Sequence, residues 1–594
     1  MRFHALACDF DGTLASGGRV DDYTVAALER LSRTGRRLIL VTGRRLEELA
    51  AAFDRLDLFD VVVAENGGVL HRPAERETRT LAQAPPEDFA RRLREEGVEP
   101  LETGEVIVAT VEPHHTVALE AVRELGLDLQ VIFNKGAVMV LPAGVTKGTG
   151  LAEAAAELGL SPHSIVGVGD AENDHAFLSM CECAVAVAGA LPAVKERCDL
   201  VTSKDEGGGV AELVERLVDD DLSGVPLDRH HILLGSVAGD SAGDSAGDRA
   251  GDSGDGAGDG EEVRLSPYGT RLLIAGPSHS GKSTVTGALL ERIGTAGYQF
   301  CLIDPEGDYA DGLKGALVLG DARRAPVVEE VAKALGDPGL SVVVNLLGVR
   351  LDDRPGFFED LLPRIAASRS AKGTPHWVVV DEAHHLMPTG FALENASGLA
   401  DSGSLLMVTV HPEAVSEEVR KILTGVIAIG DRPGQVLDGL ARSLGVEAPG
   451  GEWDALPTGE LVIWQPSEGP PVHAVLAPPE GERHRHRRKY AAGSLGEEES
   501  FRFRGPGGRL DLPADNLTLF LRIGDGVDEE TWLHHLRAGD YSAWIATCVK
   551  DQELADLVAE VERDCRDSAQ DGRRRIRELI EERYTAPAEP YDPG

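Results

Sequence analysis

Two aspartates stand two residues apart at the end of an apolar run in FHALACDFDGTL: Asp9 and Asp11. A strand that ends on a carboxylate delivers it where ligands bind in open α/β sheets. One carboxylate of such a pair can attack phosphorus while the other handles the leaving-group proton. Alone the pair equally suits a turn, because Asp is a common turn former. Three further stretches argue for chemistry. LILVTGR is an apolar run ending at Thr42 and Gly43, where a hydroxyl and free backbone N–H groups can hold a phosphate. GVTKGTGL puts Lys147 ahead of a helical run, where its ammonium can neutralise phosphate charge. IVGVGDAENDHAF ends at Asp170 and carries Asn173 and Asp174 on the next turn, hard oxygen donors of the kind Mg²⁺ takes.

A second set lies far downstream. IAGPSHSGKST fits G-x-x-x-x-G-K-S from Gly276 to Ser283, behind the strand-like TRLLIAG and ahead of the helical STVTGALLERIG. That strand–loop–helix context is what a phosphate-cradling P-loop requires. Gly276, Ser280, Gly281 and Thr284 belong to the cradle, Lys282 reaches the β- and γ-phosphates of ATP, and Ser283 ligates Mg²⁺. PHWVVVDEAHHL supplies the partner: a strand ending in Asp381 for the metal shell, then Glu382 to polarise an attacking water. An adjacent Glu favours hydrolysis by water over transfer to a kinase substrate. His384 and His385 are set aside as neighbours on extended backbone, whose side chains diverge. The pairs at 114/115, 230/231 and 534/535 are treated likewise.

The first set, in order over residues 1 to about 220, closely resembles the haloacid dehalogenase-like phosphatase superfamily. The resemblance implies that Asp9 is the nucleophile that forms an aspartyl-phosphate and Asp11 the general acid/base. It implies that Thr42 and Lys147 bind the phosphoryl group. Mg²⁺ would be held by Asp9, the Asp11 carbonyl and Asp170, with Asp174 in support, while Asn173 contacts the phosphate or orients that shell. Residues 69–143 occupy the cap position of the Cof-like, sucrose-phosphate-phosphatase-like branch. PEDFARRLREEG and TVALEAVRELG read as cap helices, GEVIVATV and LQVIFNKGAVMVLP as cap strands. Gly43, Arg44, His114, His115, Asn134 and Lys135 are the substrate contacts to test, against the plainer reading of surface residues.

The stretch LIDPEGDY, the DEAHHL stretch and the strand ending in Thr409 resemble HerA/FtsK-type ATPases over about residues 229–480. That resemblance implies a γ-phosphate sensor at Thr409 or His411. It also implies a homo-oligomer completed by a neighbour's arginine, for which Arg420 and Arg432 stand available.

These elements must be positioned by more than one core, since 594 residues exceed what a single core holds. The expected fold is α/β throughout. A Rossmann-like domain with a small α/β cap spans 1–225, and a P-loop domain with a mainly parallel sheet spans 229–480. A linker covers 481–500, and a mostly helical domain of unassigned role covers 501–594, with Trp532, Leu533, Leu536, Trp544 and Ile545 in its core. SVAGDSAGDSAGDRAGDSGDGAGDGEEV resembles a hinge, being too poor in apolar residues to build a core. Apolar runs flank it, however, so Ile232–Leu234 and Val263–Leu265 are expected to pair as a hairpin with 236–261 as its disordered loop.

The net charge of −41 disfavours broad nucleic-acid binding, which needs a basic footprint. No apolar run reaches the roughly 18–20 residues of a membrane span, and the N-terminus has no secretory pattern. Scattered cysteines suit a reducing, cytoplasmic setting. The function expected is a Mg²⁺-dependent phosphatase acting on a small phosphorylated metabolite, with a sugar phosphate as one class, fused to an ATPase. The alternatives are a phosphatase acting on nucleic-acid ends with an ATPase or polynucleotide kinase partner, and a nucleotide-gated scaffold.

Overall fold

In a computed structural model, the described residues are 1–134, 136–238, 261–278, 280–309, 313–391, 399, 403–451, 453–478, 500–549 and 551–583. The chain forms two compact units, residues 1–307 with 314–480, and residues 308–313 with 481–594. The repeat tract between 239 and 260, Lys135, and most of the expected linker lie outside the described residues.

The first unit contains two large sheets. The first orders its strands Leu200–Val201, Cys183–Ala186, Ile165–Gly169, Ala5–Asp9, Arg37–Val41, Val61–Ala64, Val69–Arg72 and Glu77–Thr80. The first six run parallel, and the last two turn back antiparallel. Ala5–Asp9 is buried at every position, as a central strand covered on both faces must be. Helices on the sheet are set by their ends. Thr146 and Thr149 exchange side-chain and backbone hydrogen bonds at the start of Lys147–Leu158, and Gly159 at φ 63° stops it.

The cap was expected over 69–143, but Val69–Arg72 and Glu77–Thr80 pair in turn onto Val61–Ala64 and extend the main sheet, with Leu70 buried on its core. The cap proper is a four-stranded antiparallel sheet, Glu102–Thr103, Val108–Val111, Ala137–Pro142 and Leu129–Asn134, with helices Glu87–Glu95 and His115–Glu124.

The second sheet has eleven strands. Seven parallel strands run in the order Gly425–Ala428, Arg271–Ala275, Ser404–Thr409, Trp377–Val380, Phe300–Asp304, Ser341–Asn345, Ala316–Leu319. Four antiparallel strands continue it: Glu460–Trp464, Val472–Leu476, Ile232–Val237 and Glu262–Leu265. Ile232 pairs with Leu265, so the expected hairpin exists. The loop begins later than 236, since Ser236 and Val237 remain in the strand through their pairing with Val475 and Ala474.

The two sheets meet within this unit through a buried polar seam. Glu182 is its centre, taking hydrogen bonds from Arg2 (2.6 Å) and from the Tyr298 hydroxyl (2.7 Å), and meeting His163 Nδ1 at 2.8 Å. The His163 ring stacks on Tyr298 at 3.7 Å, and its Nε2 meets the Ala296 carbonyl.

The second unit pairs Phe501–Phe503 with Leu512–Ala514 and is otherwise helical. Trp532, Leu536, Trp544 and Ile545 are buried in its core, with Leu533 packed at the margin. Among the described residues no helix is long and apolar enough to cross a membrane.

Candidate functional site

The strand order of the first sheet sets Ile165–Gly169, Ala5–Asp9 and Arg37–Val41 side by side and parallel, so Asp170, Asp9 and Thr42 emerge at one edge. Lys147, the first residue of its helix, is buried there with its Nζ 2.5 Å from Asp9 Oδ1 and 2.6 Å from Asp174 Oδ1. Asp174 is held in turn by the backbone N–H groups of Asp170 (2.8 Å) and Ala171 (2.9 Å). The Thr13 hydroxyl donates to Asp170 at 3.1 Å. Burial, then the Asp174 charge, pushes the Asp9 carboxyl up to about 8 against the pull of Lys147. Burial lowers the Lys147 ammonium, but Asp174 and Asp9 outweigh it and raise the net value.

Asp9, Asp170 and Asp174 bring carboxylate oxygens within 4.8 Å of one another, all three buried. One ammonium faces three carboxylates, and only oxygen donors line the cluster. A hard divalent cation such as Mg²⁺ fits that charge and that donor set.

Thr42 is fully buried and its hydroxyl accepts from the Arg44 N–H at 3.1 Å. Arg44 grips Asp11 with two hydrogen bonds of 2.6 Å, which raises the guanidinium above its ordinary value. The structure therefore places Arg44, expected on substrate, against the expected acid/base. Gly43 faces the cap, since an added Cβ would lie 3.4 Å from Met139 Sδ. Asn173 donates to Asn66 Oδ1 at 3.1 Å, and its own Oδ1 is buried with no hydrogen-bond partner among the described residues. His114 turns to the Glu99 carbonyl and His115 packs edge-on to Phe133, so neither joins this cluster through those contacts.

Residues 6–101 and 105–214 match the haloacid dehalogenase-like hydrolase family. Phosphoglycolate phosphatase of Methanothermobacter thermautotrophicus is 32% identical over 222 residues, 36% of this chain and 98% of that protein. The chain belongs to the haloacid dehalogenase-like hydrolase family. Phosphoglycolate phosphatases of Halorubrum lacusprofundi (30% identical, 36% of this chain, 96% of that protein) and Archaeoglobus fulgidus (31%, 36% and 96%) are further relatives of this hydrolase. A solved haloacid dehalogenase-like hydrolase from Bacteroides thetaiotaomicron aligns with 36% of this chain and 99% of its own, at 20% identity and a TM-score of 0.32. The N-terminal part of the chain is thus a phosphatase of the haloacid dehalogenase type, and the matched residues end before the second sheet.

In that second sheet, Arg271–Ala275 ends at Gly276, and Gly281 at φ 98° leads into the helix Lys282–Thr295, which contains Ser283 and Thr284. A Cβ on Gly276 would fall 2.4 Å from the Ile429 carbonyl, so the loop admits no side chain there. Lys282 Nζ donates to the Gly276 (3.0 Å) and Pro277 (2.8 Å) carbonyls, and burial lowers its ammonium. Ser280 Oγ is buried with no hydrogen-bond partner among the described residues.

Ser404–Thr409 lies between the Gly276-bearing strand and Trp377–Val380, which ends at Asp381. Glu382 follows in the left-handed region at φ 42°. His384 and His385 do not sit on extended backbone as the residue pattern suggested. Both lie in the short helix Ala383–Leu386, with ring centroids 4.1 Å apart. His384 Nδ1 meets the Thr409 hydroxyl at 3.0 Å and lies 3.4 Å from Glu382, while the same hydroxyl accepts from the His411 N–H. Burial, then His385 and His411, lowers His384 to about 4, keeping it neutral. Arg420 donates to the Val415 carbonyl and Ser443 hydroxyl of its own chain, which occupies the Nε and Nη1 expected to serve a neighbour.

His163, Glu182 and His230 form another cluster of metal-ligand type. Its donor atoms are already engaged: both ring nitrogens of His163 and both oxygens of Glu182 hold hydrogen-bond partners, and His230 Nε2 faces the Cys181 carbonyl at 3.3 Å. This cluster is the seam between the sheets, not an open cradle.

Proposed function

We propose that the chain is a Mg²⁺-dependent phosphomonoesterase acting through an aspartyl-phosphate on a small phosphorylated metabolite, joined to an ATP-hydrolysing P-loop domain. The observation that carries the first part is Lys147 held between Asp9 and Asp174 beside Asp170. A divalent cation bound by Asp9, Asp170 and Asp174 would supply the positive charge that lets an anionic carboxylate meet an anionic ester. Lys147 orients the Asp9 carboxylate by holding Oδ1, leaving the other oxygen to attack phosphorus. The ester P–O bond breaks, and Asp11 gives its proton to the departing alkoxide. Asp11 then takes a proton from water, whose oxygen attacks the aspartyl-phosphate and releases phosphate with Asp9 restored. Arg44 orients the Asp11 carboxyl through its two hydrogen bonds, aiming it at the leaving-group oxygen. Thr42 and the Gly43 backbone bind the phosphoryl oxygens.

The named activity of the relatives makes phosphoglycolate, a phosphorylated hydroxy acid, the first substrate to try, ahead of the sugar phosphates. Phosphate release from phosphoglycolate and from p-nitrophenyl phosphate, with Mg²⁺ and with chelator, tests the reading. Equal release by wild type and Asp9→Asn would sink it.

For the second domain, the supporting observation is the loop Gly276–Ser283 with an orphaned buried hydroxyl at Ser280 and a lysine resting on its own carbonyls. Phosphate oxygens would take over both groups. Asp381 would serve the Mg²⁺ of ATP, Glu382 would polarise water, and Thr409 with His384 would report the γ-phosphate. The HerA/FtsK likeness, the homo-oligomer and a neighbour's arginine rest on the residue pattern. ATP turnover that survives Lys282→Ala would remove this part.

A further inference from the structure

Residues Glu65–Gly67, the turn that leaves the strand Val61–Ala64, have a backbone that ordinary residues avoid. Glu65 (φ 51°) and Asn66 (φ 54°) are both left-handed, and neither is glycine. Such conformations persist where surrounding contacts over-determine them. Here those contacts reach Thr42, Arg44, Asn173 and the residue before Lys147. The Glu65 N–H donates to the Arg44 carbonyl and the Asn66 N–H to the Thr42 carbonyl, each at 2.9 Å. The Asn66 side chain accepts from Asn173. Gly67 lies against the residue before Lys147, since an added Cβ would fall 1.9 Å from the Thr146 carbonyl.

The Glu65 side chain points the other way, into the cap. It is 2% exposed, and its carboxylate meets no cation among the described residues. Three successive cap N–H groups converge on it instead: Glu105 at 2.9 Å, Val106 at 2.7 Å and Ile107 at 3.0 Å. Consecutive N–H groups turned on one anion form a nest, and a carboxylate buried in one is a directional bolt. The fit is close. A Cβ on Gly104 would fall 2.4 Å from Glu65 Oε1, and one on Gly68 would fall 2.8 Å from Val106. Val106 and Ile107 pack with Ala64, Val69, Met139 and Leu141, an apolar cluster shared by cap and core. Met139 is also the cap residue nearest Gly43.

We infer that Glu65 is a positioning residue for substrate selection: by seating the cap turn 104–107 on the tripeptide that braces Thr42, Arg44 and Asn173, it fixes how far the cap stands from the phosphoryl site. A substrate spanning that gap, with its phosphate on the core and its remaining groups on the cap, feels this distance. An ester whose leaving group asks nothing of the cap does not. The inference rests on the phosphatase reading and adds the residue that sets its selectivity.

The test compares wild type, Glu65→Gln and Glu65→Ala on phosphoglycolate and p-nitrophenyl phosphate, with hydrogen exchange at the amides of residues 105–107. Gln keeps the shape but turns an NH₂ toward N–H donors, so it serves where Ala fails to fold. The expected result is faster exchange at those amides and KM for phosphoglycolate raised about tenfold with kcat nearly kept, the mark of lost binding rather than lost chemistry. Turnover of the aryl ester should change less than about twofold. Faster exchange with unchanged KM, or equal losses on both esters, would overturn the positioning role. A wild type inactive on both esters would overturn the phosphatase reading itself, and the inference with it.

Discussion

Two lysines open two helices in this chain, Lys147 at the start of Lys147–Leu158 and Lys282 at the start of Lys282–Thr295. Each follows a loop at the edge of a largely parallel sheet, yet they are held in opposite ways. Lys147 is buried against two carboxylates that raise its ammonium, whereas Lys282 rests on two neutral carbonyls and burial lowers it. The first lysine already holds the groups it works with, and its site has an excess of negative charge that calls for a cation. The second lysine donates to the carbonyls of its own loop, and the charges of Glu382, Asp381 and Glu306 do not offset its burial. One site is organised by its carboxylates, and the other, on the ATPase proposal, would be organised by the phosphate it received.

That difference can be broken at its strongest point first. Asp9→Asn should cut phosphate release by at least about a thousandfold while ATP turnover, followed by coupled assay, stays unchanged. Lys147→Met should reduce phosphatase turnover by about a hundredfold or more. It should also cost about 3–5 kcal/mol in urea unfolding, because it leaves two buried carboxylates without their cation. Lys282→Ala is the contrasting case: ATP turnover should fall by about a hundredfold, with stability within about 1 kcal/mol of wild type, since only bonds to loop carbonyls are lost. Equal destabilisation by the two lysine variants would erase the comparison. His384→Ala should slow ATP turnover by about tenfold without changing phosphate release from the ester.

The smallest effect concerns pH and the residues around the seam. Burial, then His163, lowers His376 from 6.5 to about 3, and its Nδ1 accepts the Gln299 N–H at 2.9 Å. The unfolded chain takes up that proton first, so this contribution to stability is complete above pH 6.5 and declines as the pH falls toward 3. His376→Asn, which keeps an acceptor for Gln299, should flatten the acid limb of a pH series of unfolding curves by up to about 1.4 kcal/mol per pH unit.

The grouping of Asp9, Asp170, Asp174 and Lys147, and the glycine loop ahead of Lys282, were legible because each lies within a few residues of a recognisable strand end or helix start. Short-range pattern carries that information. Glu65 was not legible, since its partners lie some forty residues on, in a cap turn with no motif, and a lone Glu after VVVA says nothing of a nest. Glu182 was hidden for the same reason: its carboxylate joins Arg2 to Tyr298, and neither partner lies near it in the sequence. His384 was misread because the residues after Asp381 turn at once into a helix, which brings its ring to Thr409. The extent of the cap was overdrawn at its start, because a hairpin that extends a sheet and a hairpin that opens a lid have the same alternating pattern.

The repeat tract departs from one rung of a ladder and returns to the same rung. The Val237 N–H donates to the Glu261 carbonyl at 2.8 Å, so the two ends of the tract stand as close as adjacent strands allow. Ile232–Val237 is fixed on its other side by Val472–Leu476, and its register owes nothing to the residues between. A stretch of near-identical Gly-Asp-Ser-Ala units is the kind that copying errors lengthen and shorten. Each doubling of a flexible loop costs roughly 0.6 kcal/mol. Gain or loss of whole units between these two fixed ends is therefore expected to cost the two sheets little.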